Sequence, residues 1–476
     1  MTEFTEVAVT LAVPGRYHYI VPARLALRAR VGARVLVPFG RQKVTGVVVR
    51  ADAPPPPSGV AAVELSDVLD DEPALPGELV ELCLWIADYY EAPPGEVLRA
   101  ALPAGSGVAA RRVVELTDAG RAAAGEAGGA LPARMRELLV RLERAPLPVA
   151  GTSAAARRLV AALAARGFVR EGEQRDAARV KLRRERVAAV VAGVDLEAAR
   201  AALGRAKTRR AVLDTLASAP GQELAVAALG RMTSGASAAV KQLVAAGIVR
   251  TFEREAELIA AGTGDAMAAV VGGAVELTAG QREAVRVIEE QLAGGELQPV
   301  LLHGVTGSGK TEVYLRVIAS ALAAGKTAIV LVPEISLTPQ LAARFRARFG
   351  DRVAILHSGM SEQARLGEWS RLRRGEARIA VGARSAVFAP LSEVGVIVVD
   401  EEHDGSFKQD DGVRYHARDV ALVRAQRAGA VCVLGSATPS LESYAHAERG
   451  TYRLLVLTQR PTARPMPSVE IVDLRT

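Results

Sequence analysis

The stretch GVTGSGKT, Gly304 to Thr311, constrains this chain more than any other. It fits the phosphate-loop pattern G-x-x-x-x-G-K-[ST] in full. Apolar Val300-Leu301-Leu302 precede it and a helical pattern opens at Glu312, so the motif runs from strand to helix. In that context the backbone N–H groups of Gly304, Val305, Thr306, Gly307, Ser308 and Gly309 face nucleotide phosphates. Lys310 reaches the β- and γ-phosphates, and the Thr311 hydroxyl ligates Mg²⁺. The loop by itself leaves ATP and GTP open.

From about Ala266 onward, short apolar runs alternate with helical patterns. The runs are PVLLHG (299–304), TAIVLVP (327–333), VAILH (353–357), RIAVG (378–382), VGVIVVD (394–400) and AVCVLGS (430–436). Continuous apolar strands between helices predict a parallel sheet covered on both faces. Its functional residues belong at the carboxyl ends of the strands. Asp400-Glu401-Glu402-His403 sits at such an end, which assigns Asp400 to Mg²⁺ and Glu401 to the attacking water. His403 either links the nucleotide site to the next motif or is a structural histidine. Ser436, Ala437 and Thr438 in GSATPS end another strand and can bridge the acidic box to moving parts. Gln281 in LTAGQ can read an adenine edge through its amide. Arg384, in VGARSAVFAP, suits a phosphodiester backbone.

LTAGQ, the phosphate loop, DEEH and SAT, in this order, resemble a superfamily 2 helicase motor. DEEHDGSFKQDDGVRYHARDVA (400–421), with GVTGSGKTEVY and GSATPSLES, narrows the resemblance to the PriA family of bacterial replication-restart helicases. The resemblance implies an aromatic-rich loop after DEEH that senses single-stranded DNA. Phe407 and Tyr415 would stack bases there, and Lys408, Arg414 and Arg418 would meet phosphates. Val413 stands where the family often has an aromatic.

The resemblance extends to the N-terminus through VAVTLAVPGRYHYIVP, GARVLVPFGRQKVTGVVV and LWIADYYEAPPGEVLRAALP. It implies a domain that captures a 3′ DNA end, with Tyr17, His18 and Gly40 in its pocket. His18 replaces the family's usual aspartate, and Val63 stands near where a lysine is usual. Trp85 and Tyr89 either bind the tail of single-strand-binding protein, as the family implies, or are core residues of an amphipathic helix.

The fold expected is an α/β RecA-like parallel-sheet motor lobe (266–476), preceded by a β-rich 3′-DNA-end-binding domain (1–104) and a winged-helix-type α+β region (105–265). The expected elements of the first domain are strands at 7–13, 33–39 and 44–50, a turn at Pro38–Gly40 and a proline-rich loop at 51–59. A helix at 77–90 follows, then a break at Pro93-Pro94-Gly95. The middle region carries an internal duplication: LAARGFVRE (163–171) resembles LVAAGIVRT (243–251). Helices that end in a glycine turn before a short strand describe either winged-helix elements or small helical bundles.

Composition bounds the rest. The 476 residues suit about three domains. Lys+Arg 60 against Asp+Glu 53 gives +7. Residues 131–260 alone hold 23 Lys+Arg against 13 Asp+Glu, a net of +10. That basic middle, with KLRRER at 181–186, marks either a polyanionic partner or solvated helix faces. Cys83 and Cys432 are the two cysteines, too few for a disulfide framework or a zinc site, and they fit a reducing cytoplasm. MTEFTEVAV is no signal peptide, and no apolar run approaches the about 18 residues of a membrane span.

By family the chain would be an ATP-dependent 3′-to-5′ DNA helicase using Mg²⁺. It would act on forked and single-stranded DNA with single-strand-binding protein, other primosome proteins, and the replicative helicase with its loader. The family continues into a second motor lobe and a zinc module, whose cysteines are absent here, whereas this sequence stops at IVDLRT. In related motors an arginine from across the cleft supplies about 10³–10⁵-fold in rate. The expectation is therefore nucleotide and fork binding with poor hydrolysis, with a fork-binding scaffold as the alternative.

Overall fold

The computed structural model describes residues 3–40, 42–59, 62–103, 110–124, 131–144, 146–148, 154–175, 184–204, 206–255 and 276–460. Compactness divides the chain into one unit of residues 1–179 with 262–476, and a second of residues 180–261.

The first unit opens with β1 (Glu3–Val9), β2 (Tyr17–Val21), β3 (Arg34–Phe39), β4 (Gln42–Ala53), β5 (Val63–Glu64) and β6 (Asp67–Val68), arranged β5-β2-β1-β4-β3-β6. The first strand begins and ends earlier than its β-branched run suggests. Glu3–Val7 pairs antiparallel with Tyr17–Val21, and the chain turns at Thr10. β2 was not anticipated, because YHYIV looks like a polar interruption until it is paired. β3 and β4 form an antiparallel pair, but the turn was expected too early: Pro38 and Phe39 still pair with Lys43 and Gln42, and only Gly40 lies past the end of β3. Residues 51–53 of the proline-rich stretch belong to β4. Helix α1 (Gly77–Tyr89) forms as expected, and the break at Pro93 starts α2 (Pro94–Ala101) with proline at its first turn.

Next come β7 (Ala110–Leu116), α3 (Asp118–Ala124), α4 (Ala133–Arg144), β8 (Leu147–Pro148), α5 (Ala154–Ala165) and β9 (Val169–Arg175), with β7 pairing both β8 and β9. The second unit follows this order with one more helix: β10 (Arg184–Val190), α6 (Leu196–Ala202), α7 (Lys207–Ser218), β11 (Glu223–Ala225), α8 (Val226–Met232), α9 (Ala236–Ala245) and β12 (Val249–Glu255). Here β10 pairs both β11 and β12. The duplicated peptides fall at equivalent places. Gly167 and Gly247 both adopt φ +72°, after α5 and α9. The next amides, Phe168 and Ile248, donate to Leu163 O (3.0 Å) and Leu243 O (3.1 Å). A left-handed glycine stops each helix and aims the chain into its strand. Of the basic run, 181–183 lie outside the described residues.

The motor follows in the order α10 (Ala279–Leu292), β13 (Val300–Gly304), α11 (Lys310–Ala323), β14 (Thr327–Leu331), α12 (Pro339–Phe349), β15 (Val353–Leu356), α13 (Glu362–Arg373) and β16 (Ile379–Gly382). It continues with β17 (Val394–Asp400), α14 (Ala417–Ala428), β18 (Val431–Ser436), α15 (Leu441–Glu448) and β19 (Arg453–Leu457). The seven strands are parallel, in the order β15-β16-β14-β17-β18-β13-β19. β18 lies between β13 and β17, so the segments leaving all three at their carboxyl ends are neighbours. β19 was not anticipated, since RLLVL carries an exposed edge pattern.

The apolar face of α1 (Leu79, Leu82, Cys83, Ile86) shares one core with motor residues Ile397, Val399, Phe407, Tyr415, Val420 and Ala421. At the same junction Arg424 is buried, and its guanidinium donates to the carbonyls of Val387, Ala389 (2.9 Å) and Leu391 (3.1 Å). Burial lowers its pKa to about 10. Among the described residues no helix is long and apolar enough to cross a membrane.

Candidate nucleotide and nucleic-acid site

The phosphate loop leaves β13 and closes on α11. Gly307 and Gly309 adopt φ +80° and +81°, and a side chain at 307 would meet only open space. Gly304 is close-packed, because a Cβ there would lie 2.5 Å from Ser308 Oγ. No side chain caps the N-terminus of α11. The Ser308 hydroxyl is buried without a hydrogen-bond partner. An uncapped helix start, an unsatisfied hydroxyl and an open glycine turn are what a phosphate chain would complete, so these residues fit a nucleotide with its Mg²⁺.

Lys310 Nζ donates to Gly304 O (3.0 Å) and lies 3.4 Å from Glu401 Oε1. The structure therefore brings the loop lysine and the acidic box together, as expected. Asp400 ends β17 and Thr311 opens α11, both half-buried. Burial raises the Asp400 pKa, against the pull of a hydrogen bond from Tyr314. Glu401 sits at φ +47°, a left-handed conformation uncommon for a non-glycine residue. The coupling residues also meet. His403 Nδ1 and Ser436 Oγ are 2.8 Å apart, Thr438 N donates to Ser436 Oγ (3.0 Å), and Ala437 N donates to Glu401 Oε2 (3.4 Å).

Four expectations change. Gln281 presents no free amide for adenine. It is buried, its Oε1 accepts from Thr278 N (2.9 Å), and its Nε2 donates to Ser308 O (2.8 Å). It closes a capping box on α10 and braces the phosphate loop. Phe407 (0% exposed) and Tyr415 (5%) offer no stacking face, because both lie in the core shared with α1. Arg418 is committed to Glu402 Oε2 (3.1 Å), Ser440 Oγ (2.9 Å) and Asp419 (3.0 Å) rather than to solvent. Arg384 donates to the carbonyls of Lys408 (2.9 Å) and Ser406 (3.3 Å), pinning the loop after the acidic box. Lys408 and Arg414 are exposed, as phosphate contacts would require.

Three residues at this site were missed. Tyr314 donates from its hydroxyl to Asp400 Oδ1 (2.9 Å). Glu402 is fully buried and accepts from Ser440 N (2.7 Å), Ser443 Oγ (2.8 Å) and Arg418. Gly435 pairs with Asp400 across the β17–β18 ladder. The available signals were a third carboxylate in the acidic box and the serines of PSLES.

In the N-terminal domain Tyr17 packs edge-on against Phe39 (5.0 Å), next to Gly40 at φ +60°, so two expected contact points share one end of the sheet. His18 lies 3.6 Å from Glu6 on the paired strand. Trp85 is half-buried and stacks on Tyr89 (4.9 Å), which is 66% exposed and therefore no core residue.

Comparison with known proteins agrees with this anatomy. Residues 6–103 match the model of a PriA 3′DNA-binding domain, and residues 278–447 match that of a DEAD/DEAH box helicase. The replication restart protein PriA of Bacillus subtilis is 38% identical over 483 residues, covering 99% of this chain and 58% of that protein. PriA of a Synechocystis species is 48% identical over 207 residues, covering 42% of this chain and 24% of that protein. PriA of Haemophilus influenzae is 49% identical over 175 residues, covering 37% and 24%. The chain thus spans less than two thirds of the length of these relatives. With matches to a PriA-type 3′DNA-binding domain and a DEAD/DEAH-box motor, the chain is similar along nearly its whole length to part of a PriA replication restart protein.

Proposed function

We propose that this chain is the DNA-end-binding and nucleotide-binding part of an ATP-dependent DNA helicase of replication restart. It recognises stalled or abandoned forks, works 3′ to 5′, and helps assemble the primosome and reload the replicative helicase. The observation that carries this reading is the meeting of Lys310 with Glu401 below an open, uncapped phosphate loop, in the same compact unit as a PriA-type end-binding domain.

Each residue then has a part to play. Loop amides and Lys310 hold the β- and γ-phosphates of ATP. Thr311 and Asp400 would hold Mg²⁺, which when bound offsets charge on the phosphates. Glu401 orients or deprotonates the attacking water, and Lys310 at 3.4 Å holds that carboxylate in place. His403, Ser436 and Thr438 carry the state of the acidic box to the end of β18. Tyr17, His18 and Gly40 form the DNA-end site, while Lys408 and Arg414 supply exposed cations to single-stranded DNA. Tyr89, backed by Trp85, offers a face to the tail of single-strand-binding protein. The location consistent with these partners is the cytoplasm.

The test measures Mg²⁺-dependent ATP binding by the chain, its ATP turnover with and without a forked DNA, and binding to forks with and without a free 3′ leading-strand end. ATP–Mg²⁺ binding abolished by Lys310→Ala, with slow turnover and preference for the free 3′ end, supports the proposal. Fork binding without any Mg²⁺-dependent ATP binding overturns the motor part and leaves a fork-binding scaffold.

A further inference from the structure

Tyr314 lies one helical turn beyond Lys310 on α11, on the same face. Its ring is 2% exposed, and its hydroxyl reaches Asp400 Oδ1 at 2.9 Å. The third member of the arrangement is Gly435, which pairs with Asp400 across the ladder. A Cβ at 435 would lie 1.7 Å from the tyrosine oxygen and 2.8 Å from Cζ. Glycine is unfavourable inside a strand and marks a close approach by another group. Here that group is the phenol, so β18 is shaped to let it reach the carboxylate.

We infer that Tyr314 is a positioning residue for the metal-holding carboxylate, fixing Asp400 in one orientation before Mg²⁺ and nucleotide arrive. This rests on the nucleotide-site reading above and adds a residue to it. The physical reason is preorganisation. An aspartate side chain at a strand end has rotational freedom that metal binding must remove, and a rigid donor from a packed helix removes it beforehand. One carboxylate oxygen is committed to the tyrosine, which sets the direction of the group as a whole. Outer partners of this kind change metal affinity by about 10- to 100-fold when removed. The same contact also ties the start of α11 to the end of β17, so the two halves of the site move as one piece.

A purely structural role would make Tyr314 the satisfied polar end of a core residue, and the Mg²⁺ requirement would then not depend on it. The experiment titrates Mg²⁺ into the full chain with a fluorescent ADP and reads the half-saturating Mg²⁺ concentration. Tyr314→Phe, which keeps the ring, is expected to raise it at least about 10-fold. Gly435→Ala, which drives the hydroxyl off Asp400, is expected to raise it similarly, and the double variant no further than either single one. A folded Tyr314→Phe variant with an unchanged half-saturation overturns the inference. Should that variant not fold, Gly435→Ala decides by the same criterion. A wild type that binds no ADP overturns the nucleotide reading and this inference with it, and one whose ADP binding ignores Mg²⁺ overturns the inference alone. A responsive wild type beside an equally responsive variant overturns the inference alone.

Discussion

The ammonium group of Lys310 lies 3.4 Å from a carboxylate oxygen of Glu401. One residue comes from the phosphate loop after β13 and the other from the end of β17, two strands away in the sheet. If Glu401 works on the water, Glu401→Gln lowers single-turnover phosphate release by about 10²–10⁴-fold. Nucleotide affinity falls far less, because the loop amides and Lys310 remain. Lys310→Ala has the opposite signature, losing affinity first. Phosphate release and fluorescent-nucleotide binding, measured side by side, separate the two.

Arg384 fastens the loop after the acidic box through the carbonyls of Ser406 and Lys408. Hydrogen bonds from a charged donor contribute about 1.5–3 kcal/mol. Arg384→Ala is expected to speed amide exchange at residues 405–410 by about 10- to 100-fold, with the sheet strands unaffected. Hydrogen–deuterium exchange with peptide readout checks this, and unchanged protection there would show that the core packing of Phe407 alone holds the loop.

Glu402 is buried with Arg418, Ser440 and Ser443 around its carboxylate. Removing one partner of a buried ion pair strands the other charge, at a cost of about 3–5 kcal/mol. Glu402→Ala should therefore lower the denaturant midpoint of the motor markedly. Ser443→Ala, which removes one neutral donor among several, should lower it much less.

Alkaline stability has a defined sign. Cys83, Cys432, Tyr19 and Tyr415 are each pushed up to about 12 by burial. Their unfolded values lie near 9.0 for the thiols and 10.0 for the phenols. A raised folded value means that stability is fully present below pH 9 and is lost as pH climbs from there towards 12. Thermal unfolding midpoints should fall across that window, and Cys83→Ala with Cys432→Ala should flatten its lower part. Native thiols should stay inert to a thiol reagent at pH 8.

Much of the motor was legible because its signals are local. The GVTGSGKT turn, the apolar runs that became β13–β18, and the acidic box each specify backbone geometry within a few residues. The glycine stops at 167 and 247 were likewise readable as a repeat. What local reading misjudged were side chains whose environment comes from elsewhere. Gln281 looked like a nucleotide reader but closes a cap, Arg418 looked like a phosphate contact but holds Glu402, and the aromatics Phe407 and Tyr415 looked exposed but are covered by α1.

By itself the sequence determined that this chain carries a phosphate-binding turn in a parallel α/β sheet, an acidic box at a strand end, and a β-rich domain ahead of them. Those features depend on backbone propensity and short-range spacing. Only the tertiary structure decided which side chains meet across the sheet: Tyr314 with Asp400 over Gly435, Lys310 with Glu401, and Glu402 with Arg418 and Ser440. Strand order sets those distances, and strand order is fixed by packing among residues far apart in the chain, which no local pattern records.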